Sequence, residues 1–396
     1  MTYTILKRIG IGSYGTVFLI RSTITNNFYA LKKIYIDELY NKGDIRRQLH
    51  EINILFFNKC PYLLSGIDIQ ITNKNILEII TPYYDGGNLE NYITTNHALN
   101  KYIKISTVWD FFIQLCYGIK YLHDNNIMHR DLKPANILLD DKIKPTKVII
   151  IDFGVSIINK QNDNLANTII GTPYFMCPEL CENKKYSNKC DVWALGCILY
   201  ELVTLEKPFQ AQNIQLLNYK ISVGKYKEIT NPLLDPDINI FKKIIKMCLN
   251  KNSMQRATIY DILNLPDIYY KISKYQIPTK PLQLPIIIKN DIITKNELFN
   301  FVYSLKKYIK NDIPIETNNI IVYNNIISNN NIISNNPMNK YTKLPPLVNN
   351  KNLLEKNENI LEKNENILEN NKNILENNKN ILENNKNILE NKDIRL

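Results

Sequence analysis

Three glycines and a lysine suggest phosphate chemistry near the N-terminus. Gly10-Ile-Gly12-Ser-Tyr-Gly15-Thr-Val17 has the spacing G-x-G-x-x-G. Without a Cβ, such a turn lets backbone N–H groups come close to phosphate oxygens. Alone, the pattern also fits a dinucleotide-binding turn or an ordinary hairpin. A dinucleotide turn leads from a strand into a helix, whereas this one lies between two strand-like runs, Tyr3–Ile9 and Gly15–Arg21. Lys32 lies on the next such run, Phe28–Ile34, where its ammonium can serve as a fixed charge for phosphates. It needs a carboxylate to hold it. Glu51, on a helical stretch near 45–58, is the candidate, against the plainer reading of a surface Lys and a surface Glu.

A second cluster follows. His129-Arg-Asp-Leu-Lys-Pro-Ala-Asn136-Ile-Leu-Leu precedes Ile151-Asp152-Phe-Gly154. These motifs together resemble the eukaryotic protein kinase family. The resemblance implies ATP and Mg²⁺. Asp131 would accept the proton of the substrate hydroxyl, and Lys133 would neutralise charge on the transferring phosphoryl group. Asn136 and Asp152 would hold the metal, while Lys32 and Glu51 would orient the phosphates. Gly171-Thr-Pro-Tyr-Phe-Met-Cys-Pro-Glu179 resembles the end of the family's activation loop. Asp191-Val-Trp-Ala-Leu-Gly196 resembles the central helix of the large lobe, and Arg256 would pair with Glu179. With Asp85-Gly86-Gly87 ending the hinge, Thr81 becomes the gatekeeper, the Pro82 carbonyl accepts from adenine and the Tyr84 N–H donates to it. Ile9, Gly10, Gly12, Gly15, Val17, Ala30 and Leu138 would complete the nucleotide site.

The resemblance is to the serine/threonine type, because Lys133 stands two residues after Asp131 and Thr172 precedes Pro173. The Thr172 hydroxyl would bond Asp131 and Lys133. Arg130 would pair with a phosphate on the loop, with Thr168 as its acceptor. The segments around 171–179 and 190–202 are most similar to the NIMA-related kinases. Two departures stand out: Cys177 where the family usually has Ala, and Ala257 where Pro is common. A pseudokinase or scaffold with an interaction tail is the alternative, although such proteins usually lose Lys32, Asp131 or Asp152. A small-molecule phosphotransferase would lack the 171–179 platform.

These residues require a small β-rich lobe with one helix, then a larger helical lobe: an α+β, bilobal arrangement over residues 3–270. Ile105–Asn125 places Val108, Phe111, Phe112, Leu115, Ile119 and Leu122 on one helical face, and Lys189–Val203 forms a second apolar helix. Residues 271–350 turn rich in Asn and Ile and read as a low-complexity linker. Within them, Thr294-Lys-Asn-Glu297 before Leu298, Phe301, Val302 and Leu305 predicts a short capped helix. Residues 351–396 repeat every seven residues, but Ile and Leu are adjacent rather than three and four apart. That pattern predicts an unstructured tail or a weak coiled coil capable of self-association.

The chain has 396 residues and a formal charge of +11. This favours anionic partners without implying nucleic acid. The seven cysteines form no CxxC and argue against a disulfide framework or a zinc site. No run approaches the about 20 apolar residues of a membrane span. The expectation is a reducing, intracellular setting: cytoplasm or nucleus, or host cytoplasm or virion if the source is a virus. The partners expected are a nucleotide and a protein substrate.

Overall fold

The computed structural model describes residues 2–12, 15–39, 42–153, 157–158, 174–182, 184–229, 235–272 and 295–311, all within the unit Met1–Ile326. The heptapeptide repeats lie outside the described residues.

Runs rich in β-branched and aromatic residues open the chain. β1 (Tyr3–Gly12) and β2 (Gly15–Ser22) pair antiparallel, with Gly12 opposite Gly15 at the end of the register. β3 (Phe28–Tyr35) adds to β2. Helix α1 (Lys42–Phe57) follows, then β4 (Asp68–Ile71) and β5 (Ile76–Pro82). The strands form one five-stranded antiparallel sheet in the order β1-β2-β3-β5-β4. Side chains alternate between its faces. Leu31, opposite Ile80, packs with Ile20 in a small cluster on one face. Lys32 and Ile34, opposite Ile79 and Leu77, take the other face. There Ile34, Leu77 and Ile79 join the main core with Ile45, Leu49, Ile52 and Leu55 of α1.

The helical part begins with α2 (Leu89–Ala98), capped by the Asn88 side chain on the Asn91 N–H, and α3 (Ile105–Asp124). Four short strands follow: β6 (Ile127–Met128), β7 (Ile137–Leu139), β8 (Val148–Ile150) and β9 (Ile157–Ile158). β7 pairs with β8, and β6 with β9, both antiparallel. Then come α4 (Pro178–Cys181), α5 (Lys189–Thr204), α6 (Ile214–Val223), α7 (Asp237–Cys248), α8 (Ile259–Leu263) and α9 (Pro266–Ile272). α5 packs on α3 and α7, and its residues from Cys190 to Val203 are all buried. α3 and α5 match the spans expected from their apolar periodicity to within a residue.

The last described helix, α10 (Lys295–Asn311), packs on β4 and touches α1. Its Leu298, Phe301, Val302 and Leu305 enter the main core. Thr294, the expected capping residue, lies outside the described residues.

Candidate active site

The alternation along β3 determines where Lys32 points. Its face of the sheet is the one covered by α1, and Glu51 projects from the middle of that helix. The Lys32 Nζ and the Glu51 Oε1 form an ion pair at 2.5 Å, with the side chains 23% and 5% exposed. Burial alone would lower the Lys32 pKa. The charge of Glu51 and its hydrogen bond outweigh that, and the charge of Asp152 adds to them, so the net shift is upward. Lys32 is therefore a permanent cation, and Asp152 lies within electrostatic reach of it.

Asp131 sits between β6 and β7. The Lys133 Nζ donates to both of its carboxylate oxygens, at 3.0 and 2.8 Å. The Asn136 Nδ2 donates to its Oδ2 at 3.0 Å and to its carbonyl oxygen at 2.9 Å. The loop backbone is held from below by a buried carboxylate. Asp191, at the start of α5, accepts from the His129 N–H at 3.0 Å, from the Arg130 N–H at 2.9 Å and meets the His123 Nε2 at 2.9 Å. Burial pushes the Asp191 pKa up, but the hydrogen bond and charge of His123, the charge of His129 and the Arg130 N–H win, and it falls. Arg130 and Asp152 both adopt left-handed backbone, with φ of 71° and 67°. Such strain in non-glycine residues persists only where the surroundings impose it.

The β7–β8 hairpin brings the two cation-binding candidates together. Ile137 pairs with Ile150, and one step beyond, the Ile151 N–H donates to the Asn136 carbonyl at 3.0 Å. Asn136 and Asp152 therefore leave adjacent strands at the same end. The Asn136 amide nitrogen is committed to Asp131, which leaves its Oδ1 as the ligand atom. An amide oxygen beside a carboxylate is a donor set that fits Mg²⁺.

The residues expected to form the roof and hinge lie on β1, β2, β3 and β5 and on the segment that follows β5. Gly10 is opposite Val17, Val17 is opposite Lys32, and Ala30 is opposite Thr81. Ile9 is 40% exposed on β1. A Cβ on Gly15 would collide with the Lys33 carbonyl, so the strand crossing there needs glycine. Thr81 is buried at the end of β5, and Pro82, Tyr83 and Tyr84 run on half-buried. The segment after them is fastened to β7: the Leu139 N–H donates to the Gly87 carbonyl at 2.9 Å, and Asn88 bridges Leu138. A Cβ on Gly86 would lie 2.5 Å from the Leu139 carbonyl oxygen.

At the other end of the site, Arg256 grips Glu179 through two hydrogen bonds of 2.7 and 2.8 Å, both side chains buried, as expected from the sequence. The Arg256 guanidinium lies over the Trp193 ring at 5.0 Å. One expectation is corrected here. The scatter of cysteines argued against disulfides, yet a disulfide joins Cys177 to Cys190, their Cα atoms 5.4 Å apart. Residues 13 apart in sequence meet where Cys177, the residue just before α4, lies against Cys190 in the first turn of α5. Cys60, Cys116, Cys181, Cys197 and Cys248 are free. Arg130 stacks over the Tyr186 ring at 4.9 Å. Thr168, Thr172 and Gly154 lie outside the described residues.

Sequence reasoning found the catalytic candidates but gave Asp191 no role. The available signal was an Asp inside an otherwise apolar helix, which is stable only when paired.

Residues 3–267 match the model of the protein kinase domain family. The serine/threonine-protein kinase Nek1 of Mus musculus is 34% identical over 276 residues, 70% of this chain and 22% of that protein. Serine/threonine-protein kinase Nek5 of Homo sapiens is 31% identical over 276 residues, 70% of this chain and 38% of that protein. Serine/threonine-protein kinase nekl-2 of Caenorhabditis elegans is 32% identical over 273 residues, 67% of this chain and 73% of that protein. The chain thus spans well under half the length of the first two relatives. Among the described residues no helix is long and apolar enough to cross a membrane. With the ion pair, the loop around Asp131 and the Asn136–Asp152 hairpin all inside the matched segment, this chain belongs to the protein kinase family and is similar to its NIMA-related serine/threonine members.

Proposed function

We propose that residues 3–270 transfer the γ-phosphate of ATP to serine and threonine hydroxyls of protein substrates. The observation that carries this is the set of contacts on Asp131. Its carboxylate is held by Lys133 and Asn136, on a loop fixed by Asp191, one hairpin away from Asp152. A carboxylate fixed in this way can accept a proton from an incoming hydroxyl. Lys133 would neutralise charge that develops on the phosphoryl oxygens, and Lys32, held by Glu51, would steady the nucleotide phosphates. Asn136 and Asp152 would hold Mg²⁺, whose contribution when bound is to neutralise phosphate charge. Ile9, Val17, Ala30, Thr81, Tyr84 and Leu138 would enclose the base, and the three glycines would cover the phosphates. Thr168 would be the loop phosphate acceptor read by Arg130. The repeats of 351–396 would serve self-association. No observation favours the pseudokinase alternative.

Incubation of the purified chain with Mg²⁺, γ-labelled ATP and dephosphorylated casein, followed by hydrolysis and phosphoamino-acid separation, tests the reading. Label in phosphoserine and phosphothreonine is expected. Label confined to phosphotyrosine, or none on protein, would overturn it.

A further inference from the structure

Helix α10 lies beyond residue 267, where the match to the family model ends. It nevertheless covers a part of the fold on which the active site depends. Leu298, Phe301, Val302 and Leu305 follow the i, i+3, i+4, i+7 spacing of one helical face, and each is at most 4% exposed. That face packs on β4, the strand at one edge of the sheet, whose Ile69 belongs to the same core. The opposite face is polar, and Tyr303 there is 75% exposed. A polar chain reinforces the docking. The Lys306 Nζ donates to the Gln70 Oε1 at 2.8 Å, the Gln70 Nε2 donates to the Glu78 Oε2 at 2.7 Å, and Glu78 also binds Lys33 at 3.0 Å. α10 is thereby linked through β4 to β5 and β3, the strand that carries Lys32.

α10 also meets α1, the helix that carries Glu51. The seat of α1 has a polar cost. The Gln48 amide is fully buried, and neither of its polar atoms meets a partner among the described residues. The Glu51 Oε2 and the Asn53 Oδ1 are in the same position. Buried polar groups without partners oppose this placement, so apolar packing must hold it. α10 supplies packing at the flank where α1 and β4 meet.

We propose that α10 is a brace, supplied by the chain itself, that holds α1 in place so that Glu51 stays on Lys32. The proposal rests on the kinase reading for its catalytic consequence, but its structural part stands apart from it. When α10 is undocked, β4 loses its apolar cover and α1 loses a neighbour, and the fraction of molecules with the ion pair made falls.

The test uses the full chain. Phe301→Ala removes the largest side chain of the docked face and leaves a cavity. Tyr303→Ala alters only the exposed face and is the control, and Phe301→Leu is the conservative rescue. Two readouts are taken: kcat/KM for ATP, and amide hydrogen exchange in residues 42–57 and 68–71. For Phe301→Ala, about a tenfold fall in kcat/KM is expected, the size of a modest population shift, together with faster exchange in both segments. Tyr303→Ala should match the parent, and Phe301→Leu should recover most of the loss. In a Glu51→Gln background the further effect of Phe301→Ala should shrink to less than about twofold, because the contact through which it acts is already weakened. Unchanged exchange in 42–57, or an undiminished effect in that background, would overturn the brace. Should Phe301→Ala fail to fold, the milder Leu305→Val is read by the same criteria. A parent chain that transfers no phosphate yet shows the exchange changes would sink the kinase reading and leave the docking intact.

Discussion

Asp191 shows how one residue can matter without touching substrate. It satisfies two backbone N–H groups of the loop that presents Asp131, and it is itself 2% exposed. Replacement by Asn turns an amide toward at least one of those donors and leaves it without an acceptor. Asp191→Asn should cost about 1–3 kcal/mol, as orphaned buried donors do, read as a lower urea midpoint with an unchanged slope. An unchanged midpoint would refute this role. The cluster of Asp131, Lys133 and Asn136 was legible because the family motifs are local: the three lie within six positions of one another and meet in the structure. The Glu51–Lys32 pair was legible only with the family resemblance, because a strand position and a helix position alone fit a surface Lys and a surface Glu equally well. The partners of Asp191 were not, because His129 is 62 residues away and nothing local marks the pairing. The Cys177–Cys190 bond was missed for the same reason: nothing local shows that the residue before α4 meets the first turn of α5.

At the scale of the element, α1 contributes more than a platform for Glu51. His50 on this helix is half-buried, and burial, with the like charge of Arg46 behind it, lowers its pKa to about 4. In the unfolded chain it titrates near 6.5, so between the two values the unfolded state binds more protons. Stability must then fall as pH drops from about 6.5 toward 4, by at most about 3 kcal/mol from this residue. Unfolding midpoints measured at pH 7, 6, 5 and 4.5 should fall more steeply for the parent chain than for His50→Gln. Parallel curves would contradict this. α3 and α5 were legible because a long apolar period of three and four is unambiguous. β4 was not singled out: it has only four residues, Asp68–Ile71, and its strand state depends on pairing with β5. Helix α10 was legible as a helix from its face of Leu298, Phe301, Val302 and Leu305. Its docking was not, because the residues that receive it lie more than 200 positions earlier.

Over the whole molecule, the proposed function draws on both parts of the fold: the sheet and α1 supply a fixed cation, and the helical part supplies a held carboxylate and the two side chains that would hold the metal. The bilobal α+β arrangement was legible because β-rich runs precede amphipathic helices and the motifs come in family order. The domain limit at 270 came from motif coverage alone and gave no hint that α10 folds back onto the first sheet. The central claim is that Asp131 does chemistry rather than bind nucleotide. It is tested most directly by the single-turnover rate of phosphoryl transfer for the parent chain and for Asp131→Asn, with MgATP affinity measured on both. Transfer should fall by about 10²–10⁴-fold, the usual worth of a positioned general base, with affinity changed less than about threefold. Equal transfer rates in the two proteins would contradict it.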